Sequence, residues 1–579
     1  MTTTRSGFTK LAAVCIAILL GAVVWEPLTR AEHEWSRLIA AVATLGHLTG
    51  ILGSYFRKEI NRPSLRLLIF QIISCLMIFL LIAREQQEAG YMRFTELSRL
   101  MITAGLIAIP TLMSLTRIFE WLVGKQKKGR PLMAPAMQFV ASLGVVILAG
   151  TGLLLLPNST YPGITLSFTD ALFTSTSAVC VTGLNAVDFA HTFTPLGEMF
   201  TLALIQIGGF GIMTFAYFVA MVAGQGFSLR DRVLLTDLLD EGNLGAVVSF
   251  ITTIVVSTLF IELCGAVLLY FSWEGKDINL MGEPLWWHSL FHSVSAFCNA
   301  GFSTFPMNLM EPGIRLCYSG QAVIMALIVC GGLGFGIYKE INSRLANRFF
   351  SKHRRLHMQW TPYFKLVMIS TGILLAGGAL AIFAVSSPHA AEPLGEHLWI
   401  CLFDSVTART AGFNISDYGR YLPAASLIMC GLMMVGGSPG GTAGGMRTTT
   451  CAIAGAEILR ILRGRDHVEF FRRRIDQRTV ARCVITVVVS CAWIGCFTVL
   501  ICALEPSMSS LDIFFENCSA FATVGVSRGI TPDLSGPSKY LLIVNMLSGR
   551  VGLFAFLIAL AGTPTPRHYR YPSVKIPLT

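Results

Sequence analysis

A short sequence pattern occurs four times in this chain of 579 residues, each time between two longer apolar segments. It reads (Leu/Phe)-Phe-x-(Ser/Asn)-x-(Ser/Thr)-Ala, and its copies begin at Leu172, Leu290, Leu402 and Phe514. A glycine follows five residues after the alanine in the first, second and fourth copies and four residues after it in the third, at Gly183, Gly301, Gly412 and Gly525. A repeat on this scale predicts that one structural unit is built four times.

The composition places these units in a lipid bilayer. Hydrophobic residues make up 53% of the chain and charged residues 13%, whereas about a quarter of the residues in a soluble domain are charged. A helix that crosses a bilayer needs about 20 apolar residues. Twelve windows approach this length, at 9–25, 37–56, 65–83, 99–123, 137–156, 198–222, 246–272, 316–340, 362–386, 483–504, 539–561 and, with an interruption, 421–463. We therefore expect an all-α polytopic membrane protein.

The repeated pattern lies on four apolar segments that are too short to cross the bilayer, at 166–178, 285–297, 396–408 and 509–521. Such segments are expected to be re-entrant. Basic loops at 57–66, 125–130, 344–355 and 460–474 all fall on one side if the twelve spans alternate. Because basic loops remain in the cytoplasm, we predict cytoplasmic termini and re-entrant segments that enter from outside.

The repeat divides the chain into an extension, four units and a tail. An N-terminal extension of about four transmembrane helices is expected at 1–136. The four repeats follow at 137–225, 226–345, 346–465 and 466–562, and a cytoplasmic C-terminal tail occupies 563–579. Each repeat is expected to contain a spanning helix that leaves the cytoplasm (M1), a short re-entrant helix, a glycine turn and a returning helix (M2). We predict that the four repeats surround a central pore.

The basic residues do not indicate nucleic-acid binding. The chain has 44 Lys+Arg against 33 Asp+Glu, a formal net charge of +11. No basic domain with interleaved aromatic residues is present, which argues against a nucleic-acid partner. The basic stretches 342–356 and 460–482 are instead suited to orienting helices or to contacting anionic membrane lipid.

The residues around the four glycines are candidates for cation coordination. Non-helical backbone at membrane depth is tolerated only where it is buried in protein or lines a wet cavity. Four converging turns would direct backbone carbonyls at one axis, where they replace the hydration shell of a cation. The candidate carbonyls belong to the four glycines and to Val181, Thr182, Asn299, Ala300, Thr410, Ala411, Thr523 and Val524. None of these residues is a carboxylate, which favours a monovalent ion over calcium or magnesium. The alternative is that each turn only buries a glycine.

The same residues carry a resemblance to a known family. Thr176–Leu184 resembles the first pore loop of the Trk/Ktr/HKT superfamily of potassium transporters. Ser295–Phe302, Thr407–Asn414 and Ser519–Gly525 resemble the second, third and fourth loops, including the shortening of the third. The resemblance covers about 137–561 and is to the pore-forming subunit of the bacterial Trk/Ktr type. Glycine at all four positions implies potassium selectivity, whereas some plant relatives with serine at the first position favour sodium.

The resemblance also implies partners and a location. It implies a homodimer in the bacterial cytoplasmic membrane. It further implies that a cytosolic RCK-type nucleotide-binding regulatory subunit docks on the cytoplasmic face. Sodium or protons remain candidate coupling ions.

A glycine-rich stretch interrupts the span at 421–463. It contains a proline together with Gly436, Gly437, Ser438, Gly440, Gly441, Gly444 and Gly445. Such a sequence does not remain a regular helix, so mid-span it should be buried in protein or lined by water. It resembles the intramembrane gate loop of the family, and its deletion is expected to open the pore.

Arg550 lies in the middle of the last apolar span. A charge at this depth costs roughly 2.5–3.5 kcal/mol on insertion scales, so it should face protein or water. One interpretation is a structural bond to a buried carbonyl, and another is a cation beneath the glycine turns that restricts flow. The family carries an arginine in the same Ser-Gly-Arg context, where it is implicated in gating.

Other chemistries receive no support from the sequence. The 15 cysteines include no CxxC pair, so they are expected to be buried thiols rather than metal or redox sites. The glycine runs at 208–211 and 331–336 lie in apolar helices without a preceding strand, which argues against nucleotide loops. We expect no cofactor and no enzymatic activity. Glu262 is either a buried polar pair or an ion-coupling residue, and His288 and His292 are expected to be interfacial.

These features predict a potassium-uptake protein with a carbonyl-lined filter, gated by the glycine-rich loop and Arg550. Sodium transport, or potassium symport coupled to sodium or protons, is the alternative on the same fold. A non-transporting scaffold or membrane enzyme with a degenerate pore is the alternative of another class. An enzyme would need a polar constellation at membrane depth, and a degenerate pore should have lost a filter glycine.

Overall fold

The computed structural model describes residues 135–211, 247–350, 360–386, 393–554 and 556–557. The four predicted spans of the N-terminal extension and the C-terminal tail lie outside these residues.

Three kinds of helix follow one another in the same order in each predicted repeat. The M1 helices are α1 (Pro135–Leu154), α4 (Val247–Trp273), α8 (Pro362–Val385) and α12 (Gln477–Leu504). The repeated pattern lies on α2 (Phe168–Cys180), α5 (Leu285–Cys298), α9 (Leu394–Thr407) and α13 (Ser510–Ala522), which we call the motif helices. The M2 helices are α3 (Pro195–Phe210), α6 (Tyr318–Leu333), α10 (Pro423–Met434) and α14 (Gly536–Val551).

Additional elements lengthen the second and third repeats. Helix α7 (Phe335–Phe350) follows α6, and helix α11 (Thr448–Leu462) follows α10 after an irregular loop. Strands β1 (Glu469–Phe470) and β2 (Arg473–Arg474) form a small antiparallel hairpin before α12.

Several helices have the length and composition of membrane spans. Ile251–Trp273, Pro362–Val385 and Gln477–Leu504 are each long and apolar enough to cross a bilayer. The pair α6 and α7 also meets this criterion together, although the two helices are bent by 93°. Helices α1, α3 and α10 contribute shorter apolar segments. The chain is therefore a multi-pass membrane protein.

The bend between α6 and α7 corrects one prediction. The window 316–340 was expected to be a single span, but α6 ends at Leu333 and Gly334 adopts a φ of +90°. The backbone N–H of Phe335 then donates to the carbonyl of Gly440 (3.0 Å), in the loop between α10 and α11. Hydropathy predicts the length of an apolar run, but it does not report where a glycine turns the chain.

The repeated pattern is explained by how each motif helix packs on its own M1 helix. Ser175, Ser293 and Ser405 donate hydrogen bonds to the carbonyls of Ile147, Glu262 and Leu375, at 2.7, 2.6 and 2.8 Å. The fourth copy has Asn517, whose amide donates to Ile494 (2.9 Å). A glycine stands three residues after the acceptor in the first three M1 helices, and a Cβ there would overlap the serine hydroxyl, at Gly150, Gly265 and Gly378.

The apolar positions of the pattern form the core around this contact. The second-position phenylalanines are fully buried, at Phe173, Phe291, Phe403 and Phe515. The closing alanines are equally buried, at Ala178, Ala296, Ala408 and Ala520. Full burial of a phenylalanine contributes roughly 1.5–3 kcal/mol, so the pattern fixes each motif helix by packing as well as by hydrogen bonding.

The repeats contact one another in a closed order. Helix α3 packs against α5, α6 against α9, and α10 against α13, so each M2 helix contacts the motif helix of the following repeat. Helix α14 of the fourth repeat packs against α2 of the first. This arrangement brings the carboxyl ends of the four motif helices, and the segments that follow them, to one place.

Candidate functional site

The four segments that follow the motif helices share one backbone conformation. Two residues before each glycine, the backbone is left-handed, at Val181 (φ +57°), Asn299 (+61°), Thr410 (+71°) and Thr523 (+51°). The glycines have positive φ as well, with values of +92°, +70°, +81° and +93° in chain order. Left-handed backbone is rare for β-branched residues, and three of the four residues are β-branched. Such strain persists where the surrounding structure holds it and often marks a functional site.

The glycine turns touch one another in a ring. A Cβ on Gly301 would lie 2.6 Å from the carbonyl oxygen of Ala411, and one on Gly412 would lie 2.7 Å from that of Val524. A Cβ on Gly183 would overlap the carbonyl oxygen of Ala300, and one on Gly525 would overlap that of Thr182. The contacts thus run from repeat one to two, three, four and back to one. All twelve predicted residues are buried in this ring.

Three side-chain hydroxyls at the ring have no hydrogen-bond partner among the described residues. They are the Oγ1 atoms of Thr182, Thr410 and Thr523. Leaving a buried hydroxyl unsatisfied costs roughly 1–3 kcal/mol. Polar atoms with free acceptor capacity at such a position suit a path for a hydrated or partly dehydrated ion.

The sixth residue of each pattern supports its own turn. Ser177 and Ser519 accept hydrogen bonds from the backbone N–H groups of Gly183 and Gly525, both at 3.0 Å. Ser295 donates to the carbonyl of Phe302 (2.8 Å), and Thr407 donates to that of Phe413 (2.5 Å). The sequence shows a Ser or Thr at this position in all four copies of the pattern. The backbone group that each side chain binds could not be inferred without the fold.

In the third and fourth repeats, the variable third position of the pattern anchors the chain that leaves the turn. Asp404 accepts hydrogen bonds from the hydroxyls of Tyr418 (2.9 Å) and Tyr421. Glu516 accepts from the hydroxyls of Ser527 and Thr531 (2.9 Å to Thr531).

The histidines do not lie at an interface as predicted. Both His288 and His292 are fully buried. His292 lies 2.9 Å from the hydroxyl of Ser303, and His288 lies 2.6 Å from that of Thr304. They brace the segment that follows the second turn.

Glu262 belongs to a buried polar group on α4. Its carboxylate accepts from the amide of Gln206 (3.1 Å) and lies 3.5 Å from the thiol of Cys298. The protein therefore satisfies this carboxylate with neutral donors beside the second turn.

The glycine-rich loop between α10 and α11 lies against the ends of two motif helices. The hydroxyl of Thr442 donates to the carbonyl of Phe297 on α5 (3.3 Å). A Cβ on Gly444 would overlap the hydroxyl of Thr523, and one on Gly445 would lie 3.1 Å from Cα of Ala522. The loop therefore adjoins the ring on the side of the motif-helix ends.

Backbone bonds attach the rest of this loop to the protein. Gly436 donates to Met446 (2.8 Å) and Ser438 to Gly332 of α6 (2.9 Å). The carbonyl of Gly437 accepts from Thr448 (3.0 Å). A Cβ on Gly441 would lie 3.1 Å from the carbonyl oxygen of Gly331.

Three arginines donate to backbone carbonyls in and around this loop. Arg550 donates to the carbonyls of Thr442 and Gly208, and thus joins the loop to α3. The buried Arg409 donates to the carbonyl of Gly436 (3.1 Å), and Arg447 donates to that of Ala443. Among the described residues, none of these arginines pairs with a carboxylate. No role for Arg409 or Arg447 was predicted from the sequence, although each is a charged residue within an apolar or glycine-rich segment.

The comparisons with known proteins agree with this architecture. The chain is 34% identical over 446 residues to the Ktr system potassium uptake protein B of Bacillus subtilis, covering 75% of this chain and 94% of that protein. It is 32% identical to the potassium/sodium uptake protein NtpJ of Enterococcus hirae, covering 78% and 99%.

A solved structure has the same fold. The potassium transporter TrkH from Vibrio parahaemolyticus matches with a TM-score of 0.60 at 18% identity, covering 86% of this chain and 99% of that one. The family model TrkH, described as cation transport protein, matches residues 104–571. The chain belongs to the TrkH family of cation transport proteins.

Proposed function

We propose that this protein takes up potassium ions across the cytoplasmic membrane of a bacterium. The observation that carries the proposal is the closed ring of glycine turns, in which four strands of backbone meet. The ring supplies carbonyl oxygens at fixed positions, and such oxygens can replace the hydration shell of a potassium ion. In this proposal, the filter consists of the twelve ring residues, three from each repeat.

The motif helices assist the filter electrostatically. Each of them ends at the ring, so its carboxyl end, which carries the negative end of the helix dipole, lies beside the ion path. The ring contains no carboxylate that would hold a divalent cation tightly. Weak, multiple carbonyl contacts suit an ion that must both enter and leave.

Beneath the filter, the glycine-rich loop and Arg550 form the gate. The loop adjoins the ends of α5 and α13, and Arg550 ties it to α3 by two carbonyl bonds. A guanidinium at this position also repels cations. Removal of residues 436–445 should therefore leave the pore open, and a deletion variant with wild-type flux would contradict a gating role.

We further propose that the protein acts as a homodimer with a cytosolic RCK-type nucleotide-binding subunit. The exposed arginines of the hairpin, Arg472 to Arg474, and those after α11 form a basic surface at the predicted cytoplasmic face. Light scattering of the purified protein tests the dimer, and co-purification with an RCK subunit encoded in the same genome tests the complex.

Growth of a potassium-uptake-deficient bacterial strain at low potassium tests the main proposal. Expression of the chain, with and without an RCK subunit, should restore growth. The variants Gly183→Ser and Gly301→Ser, which place side chains in the ring contacts, should restore it less. Failure of the wild-type chain under both conditions would contradict potassium uptake.

Sodium transport is the second candidate, because the relative from Enterococcus hirae is named a potassium/sodium uptake protein. Uptake of each ion into liposomes that contain the purified protein separates the two. Faster sodium than potassium uptake at equal concentration would favour the sodium transporter, and dependence of potassium uptake on a sodium or proton gradient would reveal coupling.

A further inference from the structure

Arg528 lies three residues after the glycine of the fourth turn and reaches into the third repeat. Its Nε atom is 2.6 Å from the carboxylate of Asp512 on α13. Its Nη1 atom donates to the hydroxyl of Ser426 (2.6 Å) and the carbonyl of Tyr418 (2.9 Å), and its Nη2 atom donates to the carbonyl of Gly419 (3.2 Å). The side chain is only 11% exposed. One guanidinium thus joins the fourth repeat to the loop and the M2 helix of the third.

Both ends of this contact continue to the filter. The backbone N–H of Arg528 donates to the carboxylate of Glu516 (2.9 Å), which also holds Ser527, two residues after Gly525. On the other side, Tyr418 donates its hydroxyl to Asp404 on the third motif helix (2.9 Å). The chain of contacts therefore connects the motif helices α9 and α13 across the outer side of the ring.

The other three junctions between repeats are built differently. They join the fourth residue of an M2 helix directly to the next motif helix, through Glu198 and Trp287 (2.6 Å), Gln321 and Trp399 (2.6 Å), and Lys539 and Asp170 (2.9 Å). At the junction of repeats three and four, the corresponding M2 residue is Ser426, whose hydroxyl accepts from Arg528 and forms no hydrogen bond with α13 among the described residues. Arg528, which lies in the segment that follows the fourth filter strand, makes the connection instead. This junction is therefore the one, among those that the structure describes, that is joined directly to a filter strand.

We propose that Arg528 is a positioning residue that sets discrimination between potassium and sodium by fixing the spacing of the third and fourth filter strands. This inference rests on the proposed function. The planar guanidinium presents rigid, diverging donors to a carboxylate, a hydroxyl and two carbonyls. Lysine offers a single ammonium on a flexible stem and cannot span the same partners. Without Arg528, the third and fourth filter strands can shift relative to each other. Their carbonyl oxygens are then no longer held at the distances that suit potassium better than sodium.

The test compares Arg528→Gln and Arg528→Lys with the wild type in liposomes, measuring potassium and sodium uptake separately. We expect the potassium-to-sodium uptake ratio to fall about tenfold in Arg528→Gln and less in Arg528→Lys, since hydrogen bonds to a buried charge are among the strongest in proteins. Arg420→Gln is the matched control, because Arg420 lies in the same outer loop with a side chain 80% exposed and pairs with Asp417. Exposed ion pairs contribute little, so its ratio should equal that of the wild type.

An unchanged ratio in Arg528→Gln, at normal yield and melting temperature, overturns the proposal. If that variant does not accumulate, Asp512→Asn and Ser426→Ala replace it, because the first removes the negative charge that pairs with Arg528 and the second removes a hydroxyl that accepts from it. A fall of about twofold in their ratios supports the proposal, and unchanged ratios in both overturn it. Wild-type protein that transports neither ion would instead contradict the proposed function.

Discussion

The ring of glycine turns and the loop between α10 and α11 are both irregular and rich in glycine, yet they are supported differently. In the ring, backbone N–H groups bond within their own repeat, as when Thr182 donates to Ser177 and Ala300 to Ser295, both at 2.7 Å. The loop has bonds within the third repeat, such as that from Gly436 to Met446, but it is also bonded to other repeats. Ser438 donates to Gly332, and Thr442 accepts from Arg550. The backbone bonds of the ring thus lie within single repeats, whereas a relative movement of the repeats would break part of the support of the loop.

The largest expected effect comes from disturbing the locally supported ring. Gly183→Ala adds a Cβ that overlaps the carbonyl of Ala300, at a backbone φ of +92°. Left-handed backbone alone costs an alanine roughly 1–2 kcal/mol. We expect at least a tenfold loss of potassium uptake, the equivalent of about 1.4 kcal/mol in the barrier, measured as flux into liposomes.

Gly163→Ala is the matched control for this variant. Gly163 has a φ of +91°, but no atom lies within 4 Å of an added Cβ. It therefore suffers the backbone strain without the ring contact. Equal loss of uptake in both variants would show that strain, rather than closeness of the strands, causes the defect.

The next largest effect is expected from Arg550→Ala, which frees the loop without touching the ring. The variant removes the bonds to Thr442 and Gly208, and each hydrogen bond from a charged group is worth roughly 1.5–3 kcal/mol. Potassium leak should rise several-fold while the preference for potassium over sodium stays unchanged. Arg463→Ala, an exposed arginine after α11, serves as control. A changed preference for potassium over sodium would contradict the proposal that the loop controls flow while the ring alone controls selectivity.

A smaller effect is expected from crowding the loop at its contact with the ring. Gly444→Ala places a methyl group against the hydroxyl of Thr523, and such overpacking typically costs about 1–3 kcal/mol. We expect the loop to move rather than the ring, because part of its support comes from other repeats, and potassium leak should then rise about twofold. Gly455→Ala on α11 has open space around the new methyl group and should leave leak unaltered. Reduced uptake without added leak would indicate that the ring yielded instead.

The smallest effect is expected at the contact between a motif helix and its M1 helix. Ser405→Ala removes the bond to Leu375 and should lower stability by about 1 kcal/mol, measured as the melting temperature. Gly378→Ala should also destabilise, because its methyl group overlaps Ser405. The double variant should be less destabilised than the sum of the two, since the methyl group then occupies the space of the hydroxyl. Additive effects would contradict the packing described for this contact.

The repeated pattern made the local structure predictable, because its positions depend on contacts within one repeat. The predicted segment 166–178 corresponds to α2, and 509–521 to α13, each within about two residues. The buried phenylalanines and the serine at the fourth position follow directly from that pattern. The glycine spacing also located the left-handed turns.

The contacts between repeats could not be predicted from the repeated pattern. Arg528 reaches Tyr418 and Ser426, which lie more than a hundred residues earlier in the chain. Arg409 looks in the sequence like part of a filter strand, although its side chain binds the loop at Gly436. Such partners depend on how helices pack after folding, and no short-range pattern encodes them. The bend at Gly334 belongs to the same class, because Phe335 is held there by Gly440.

The way in which arginines hold the loop limits what can release it. Arg409, Arg447 and Arg550 bind backbone carbonyls. Arginine does not lose its proton in proteins, and an amide carbonyl does not titrate near neutral pH. A change of pH therefore alters neither side of these bonds. Opening of the proposed gate requires that the loop and these arginines move apart. We therefore expect flux through the proposed gate to respond to movements of the helices and not to a change of pH.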